Sequence, residues 1–136
     1  MLMREELADK DIREYSAVAL AYIGDAVFEL MVRTHILASG RKKIRDIHHD
    51  TVGLVKAESQ ARVIRQLFGE LSEEEKDIVR RGRNAKSTPP KHADPGDYGM
   101  STGFEALLGY LYLQGEEDRL FYLVNRALNE AVEGGD

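Results

Sequence analysis

Two long apolar stretches constrain this chain more than any other feature. One runs from Ala17 to Val32 and the other from Thr102 to Leu113. Each carries an isolated acid where a core helix would rather have a leucine. Asp25 lies near the middle of the first, and Glu105 is the only charge in the second. An ionised carboxylate taken out of water without a partner costs many kcal/mol or becomes protonated. A chain that puts one in each of two apolar helices is expected to give them a shared cation.

Nothing alternates with period two over a strand's length, whereas helical spacing recurs throughout. The pattern predicts an all-α protein of about five helices. Ser16 can cap a first helix that runs to about Ser39, with Gly40 as its stop. A second fits Ile47 to Phe68, its stripe built from Ile47, Leu54, Val55, Val63, Ile64 and Leu67, with Gly69 at its end. Ser72 and Glu75 make a capping box for a short helix with Ile78 and Val79 on one side. Residues 84–99 hold all three prolines and read as a loop, expected to be mobile without a ligand. Ser101 or Thr102 then caps the Glu105 helix, whose core stripe is Phe104, Leu107, Leu108 and Leu111. Gly115 breaks the chain before a last helix over about Glu117 to Val132, expected to pack Leu120, Phe121, Val124 and Leu128.

A chain of 136 residues is expected to form one domain, residues 1–136, able to bury roughly two-thirds of its unfolded surface. With no cysteine there is neither a disulfide framework nor a thiolate metal site. The start, Met-Leu-Met-Arg-Glu-Glu, lacks the apolar core of a signal peptide. Asp25 and Glu29 interrupt the longest apolar run before it reaches the length of a membrane span. A soluble, cytoplasmic protein is expected. The net charge of −5 argues mildly against nucleic acid, but its distribution argues the other way. Residues 78–92 contain Arg80, Arg81, Arg83, Lys86 and Lys91 with no acid. A basic strip on an acidic body is an electrostatic footprint for a polyanion.

Spacing by three and four puts Tyr22, Asp25 and Glu29 on one side of the first helix. Ala21 and Gly24 are expected to leave space around Asp25, as Gly109 does one turn after Glu105. Two carboxylates from separate helices, with room for waters, would make a hard oxygen site suited to Mg²⁺ rather than zinc. Such a site can polarise a phosphoryl oxygen and activate water for phosphodiester hydrolysis.

The segment Tyr22-Ile23-Gly24-Asp25-Ala26-Val27-Phe28-Glu29 resembles the signature helix of the ribonuclease III family. Phe104-Glu105-Ala106-Leu107-Leu108-Gly109 resembles that family's second catalytic helix. Arg80-Arg81-Gly82-Arg83-Asn84-Ala85-Lys86 and the run from Tyr98 to Leu107 narrow the likeness to the short Mini-ribonuclease III branch, a lone catalytic domain. The resemblance spans about residues 15–132. It implies a ribonuclease III endonuclease-domain-like bundle of about five to seven helices and a homodimer that cuts double-stranded RNA with Mg²⁺, or possible substitution by Mn²⁺. The substrate it implies is precursor large-subunit (23S) ribosomal RNA, with a ribosomal protein as a candidate partner on that substrate. Asp25 and Glu105 carry over as catalytic and metal-binding residues, and Tyr22 as a dimer contact. Without a separate RNA-binding domain, the RNA contacts fall to Arg80, Arg81, Arg83, Asn84, Lys86, Lys91 and His92. Larger family members carry a further acid at the positions of Ala21 and Thr102. Fewer carboxylates imply weaker Mg²⁺ binding and more reliance on phosphate oxygens.

Two alternatives come from the residues. His35, His48, His49 and Asp50 resemble the histidine–aspartate pattern of metal-dependent HD phosphohydrolases. That pattern needs more ligands than are spaced suitably here, and His48-His49-Asp50 more simply begins a helix, where Asp50 favours the dipole. The other alternative is a non-catalytic RNA-binding module on the same fold, with the acids kept for structure.

Overall fold

Ser16 opens the first long helix as its spacing predicts. Its hydroxyl accepts the Ala19 N–H at 3.1 Å, and helix α1 runs Ala17–Ala38 before Gly40 turns the chain at φ 88°. The computed structural model describes residues 11–40, 56–86 and 88–133, the side chains of 130–133 excepted. The predicted positions Ile47, His48, His49, Asp50, Leu54 and Val55 lie outside the described residues. Helix α2 is Ala57–Leu67, followed by a 3-10 turn at Phe68–Glu70. The Ser72–Glu75 capping box forms in both directions at the start of α3, Glu73–Arg83. Helix α4 is Pro95–Gln114, closed by Gly115 at φ 76°, and α5 is Glu117–Glu133. The described residues hold no strand, so the all-α expectation is met.

Two boundaries differ from the sequence expectation. Helix α4 begins at Pro95, so the loop before it is shorter than residues 84–99. Asp94 supplies the cap, its carboxylate accepting the Asp97 N–H at 2.8 Å, and Pro95 sits in the first turn where no N–H is needed. Ser101 and Thr102 are therefore inside the helix, and both hydroxyls donate back to the Tyr98 carbonyl. On α5, Phe121 is exposed rather than buried, and Leu123 takes its place in the core.

Helix α4 is the hub, with α1, α2 and α3 all packed against it. From Ser101 to Leu111 every residue is buried except Glu105, which is half-buried. A helix apolar on all sides can exist only where neighbours cover every face. Two of those neighbours come unusually close because glycines remove the side chains between them. A Cβ on Gly24 of α1 would land inside the Glu105 carbonyl of α4 and 2.9 Å from the Gly109 nitrogen. A Cβ on Gly109 would strike the Leu20 carbonyl in return. Gly82 of α3 and Gly103 of α4 make the same kind of contact on another side of the hub. One turn from the α1 crossing, Phe28 and Phe104 meet edge to face at 5.2 Å.

Polar ties hold the rest. Glu75 is only 6% exposed and receives a two-pronged bond from Arg119 of α5, both contacts at 2.8 Å. Burial alone would raise its carboxyl, but Arg119 and the Ser72 N–H outweigh it and hold Glu75 below the ordinary carboxylate range. Arg65 of α2 reaches Asp97 in the first turn of α4 at 2.7 Å.

Gly24→Ala should cost at least about 3 kcal/mol by forcing α1 off the α4 backbone, since overpacking a closed contact is destabilising. Gly69→Ala, with open space around its Cβ, should stay within about 0.5 kcal/mol of wild type. Urea unfolding of both variants checks this; equal losses would show that the crossing is not tight.

Candidate active site

The α1–α4 crossing determines where two acids end up. Gly24 admits the Glu105 peptide against α1, and Asp25, the next residue, stands beside the Glu105 side chain. Helix α2 closes the third side. Its Gln60 donates an amide hydrogen to Glu105 Oε2 at 3.3 Å. The two acids expected to share a site therefore meet, although 80 residues of chain separate them.

Their surroundings differ. Asp25 is exposed, because the core-facing stripe of α1 is Leu20, Ala21, Gly24, Phe28, Val32 and Ile36, and Asp25 lies off it. The sequence expectation of an acid taken out of water holds for Glu105 only. Burial pushes the Glu105 carboxyl up, the Asp25 carboxyl raises it further as hydrogen-bond partner and like charge, and Gln60 pulls it back, leaving it at about 8. Among the described residues, no arginine or lysine acts on it. A buried acid pushed up by a neighbouring acid, with no cation beside it among the described residues, is a set of donors suited to a hard divalent ion. Among the described residues no cluster of three or more histidines and acids could hold a metal. Asp25 and Glu105 thus offer two carboxylates, and the remaining ligands would come from water and substrate.

The small residues do not act as expected. Gly24 and Gly109 leave no room for waters, because each gap is filled by the backbone of the facing helix. Ala21 is buried, and the Thr102 hydroxyl is occupied by Tyr98.

The basic strip divides by contact. Arg81 is half-buried and donates to the Tyr15 carbonyl at 2.8 Å, which ties α3 to the start of α1. Arg80 lies 5.4 Å over the Phe68 ring. Arg83, whose Nε donates to Asn84 Oδ1, is exposed with Asn84, Lys86, Lys91 and His92 at the end of α3 and in the following loop. Tyr22 is 80% exposed on the outer face of α1, where Val18, Leu30 and Leu37 are also exposed. His35 is exposed near the end of α1. Sequence reading missed Gln60. The available signal was its position three and four residues before Val63 and Ile64, on the buried stripe of its helix.

Residues 18–116 match the Ribonuclease III domain family. The Mini-ribonuclease 3 of a Thermoanaerobacter species is 50% identical over 117 residues, 85% of this chain and 82% of that protein. That of Brevibacillus brevis is 42% identical over 133 residues, 97% of this chain and 98% of that protein. A crystal structure of a Fusobacterium nucleatum protein superposes with a TM-score of 0.80 at 33% identity, covering 85% of this chain and 95% of that one.

Between pH 4.5 and about 8 the folded chain holds a proton on Glu105 that the unfolded chain has released. Stability therefore falls as pH rises through that window. In metal-free protein the thermal midpoint should drop from about pH 5 to about pH 8, and Glu105→Gln should flatten the drop. An unchanged slope in that variant would remove Glu105 as its source.

Proposed function

The chain belongs to the ribonuclease III family, in its Mini-ribonuclease 3 branch, and from that premise we propose that Asp25 and Glu105 are the catalytic carboxylates of a metal-dependent endoribonuclease acting on double-stranded RNA. The meeting of these two acids at the α1–α4 crossing carries the reading. Asp25 and Glu105 would hold Mg²⁺, or Mn²⁺ in its place. When bound, the ion supplies charge to the phosphate under attack and favours ionisation of the attacking water. Asp25, exposed, presents the pair to a ligand as large as a duplex. Glu105, anchored in the hub, keeps its carboxyl from wandering. With two carboxylates from the described residues, the site would hold the ion weakly on its own, and phosphate oxygens of the RNA would strengthen that hold.

An A-form duplex is recognised by shape through phosphates and 2′-hydroxyls. Arg83, Asn84, Lys86, Lys91 and His92 are exposed and suited to that contact. Arg80 is suited as well, stacked on Phe68. The apolar outer face of α1, with Tyr22, Val18, Leu30 and Leu37, supports a second copy of the chain as partner. The finer reading is that the substrate is precursor 23S ribosomal RNA in the cytoplasm, shaped for cleavage by a large-subunit ribosomal protein. It rests on the likeness to the short branch.

Purified protein with Mg²⁺ should cut both the stem that closes precursor 23S ribosomal RNA and, less efficiently, an unrelated duplex. Asp25→Asn and Glu105→Gln, still folded, should each lower the rate at least about 100-fold. Duplex binding without any metal-dependent cutting would instead make the protein an RNA-binding module. Arg83→Ala should reduce the slope of log affinity against log salt by about one. Arg81→Ala should leave that slope alone and lower the melting temperature, and the reverse pattern would place Arg81 on the RNA. In sedimentation the wild type should run at twice the chain mass, and Leu30→Glu as a folded monomer. A monomeric wild type would remove the second copy.

A further inference from the structure

Gln60 is 3% exposed, in the seam where α2 packs on α4. Leucine or methionine would fill such a seam at less cost, since a buried amide loses its water and must find partners inside. This amide is aimed at a single acid, with its nitrogen 3.3 Å from Glu105 Oε2. Asp25 approaches the same carboxyl from α1. Glu105 is thus flanked by one residue from each of the two other helices.

The choice of an amide matters. The fold's other buried carboxyl, Glu75, is held by Arg119, which cancels its charge. An arginine or lysine at position 60 would do the same to Glu105 and leave the pair with little attraction for a cation. A neutral donor fixes the direction of the carboxyl without placing a competing positive charge beside it. It takes one acceptor site on Oε2 and leaves the others for further ligands. A glutamate side chain free in solution must give up rotamer freedom when it is fixed, and here most of that loss occurs on folding.

The geometry points to Gln60 as a positioning residue for the metal site: its amide engages Glu105 Oε2 and sets the direction in which that carboxyl is offered, with Asp25, to a divalent cation. This rests on the reading of Asp25 and Glu105 as metal ligands. It does not involve Gln60 touching metal or RNA. Partners that orient a ligand in this way change metal affinity by about 10–100-fold when removed.

The test is a calorimetric titration of RNA-free protein with Mn²⁺ alone, for wild type, Asp25→Asn, Gln60→Met and Gln60→Asn. Met keeps the length and loses the donor, whereas Asn keeps the donor and falls one methylene short. Either substitution should leave a folded protein by circular dichroism and raise the Mn²⁺ Kd about tenfold or more. The same variants at saturating Mn²⁺ should cut duplex RNA with a lowered kcat and an unchanged KM. A purely structural glutamine would move the melting temperature and leave Mn²⁺ affinity alone. A Kd raised less than about threefold in a folded variant overturns the assignment, and if one variant does not fold the other decides. Should wild type bind no Mn²⁺, or Asp25→Asn bind it equally well, the reading of the acids as ligands fails first, and that outcome is distinct from Gln60 alone failing.

Discussion

The contact between Gly24 and Gly109 is the constraint from which the site follows. Helices with ordinary side chains pack with axes about 8–10 Å apart, the side chains filling the space between the backbones. Removing both Cβ atoms lets the α1 backbone lie against the α4 backbone, so that Leu20, Gly24, Glu105 and Gly109 touch through main-chain atoms. Asp25 then needs no reach. The same device at Gly82 and Gly103 holds α3 on the hub, and the exposed cations follow at the end of that helix. Acid pair and basic strip are thus both placed by glycines on α4's neighbours.

Two mostly buried acids show how this fold separates structure from chemistry. Glu75 and Glu105 both lie in seams against apolar neighbours. Arg119 forks onto Glu75, and its carboxyl is held below the ordinary range despite burial. Glu105 meets a second acid and an uncharged amide, and it is pushed up to about 8. Pairing Glu75 completes the fold. Glu105 is left with a deficit that something outside the chain can relieve, and strongly perturbed groups of this kind cluster at functional sites.

What could be read from the sequence was mostly what is local. The caps at Ser16 and Ser72, the turns at Gly40 and Gly115 and the stripe from Phe104 to Leu111 each depend on residues a few positions apart, and all form as their spacing predicts. The start of α4 was missed although Asp94-Pro95 is a local signal, because Gly96 and Gly99 read as breakers. Gly99 is tolerated where it is because the Arg83 backbone approaches it. Asp25 and Glu105 were legible as a pair, since an acid in an apolar run needs an explanation. The partner of Glu105 from α2 was not, because nothing in the α2 sequence says which helix its buried face will meet. The contact of Arg81 was hidden for the same reason: its partner is the Tyr15 carbonyl, 66 residues earlier.

Positions 21 and 102, where further acids are absent, are both buried in this packing. Ala21 is buried one turn before Gly24, and Gly109 packs at Leu20. Thr102 adjoins Gly103 at the α3 contact, its hydroxyl committed to Tyr98 and its carbonyl lying close to Gly82. Positions 21 and 102 thus both lie in or beside the contacts that hold α1 and α3 on the hub. A site reduced to two carboxylates must then gain precision elsewhere, and an uncharged donor from α2 supplies it without reducing the charge of the pair.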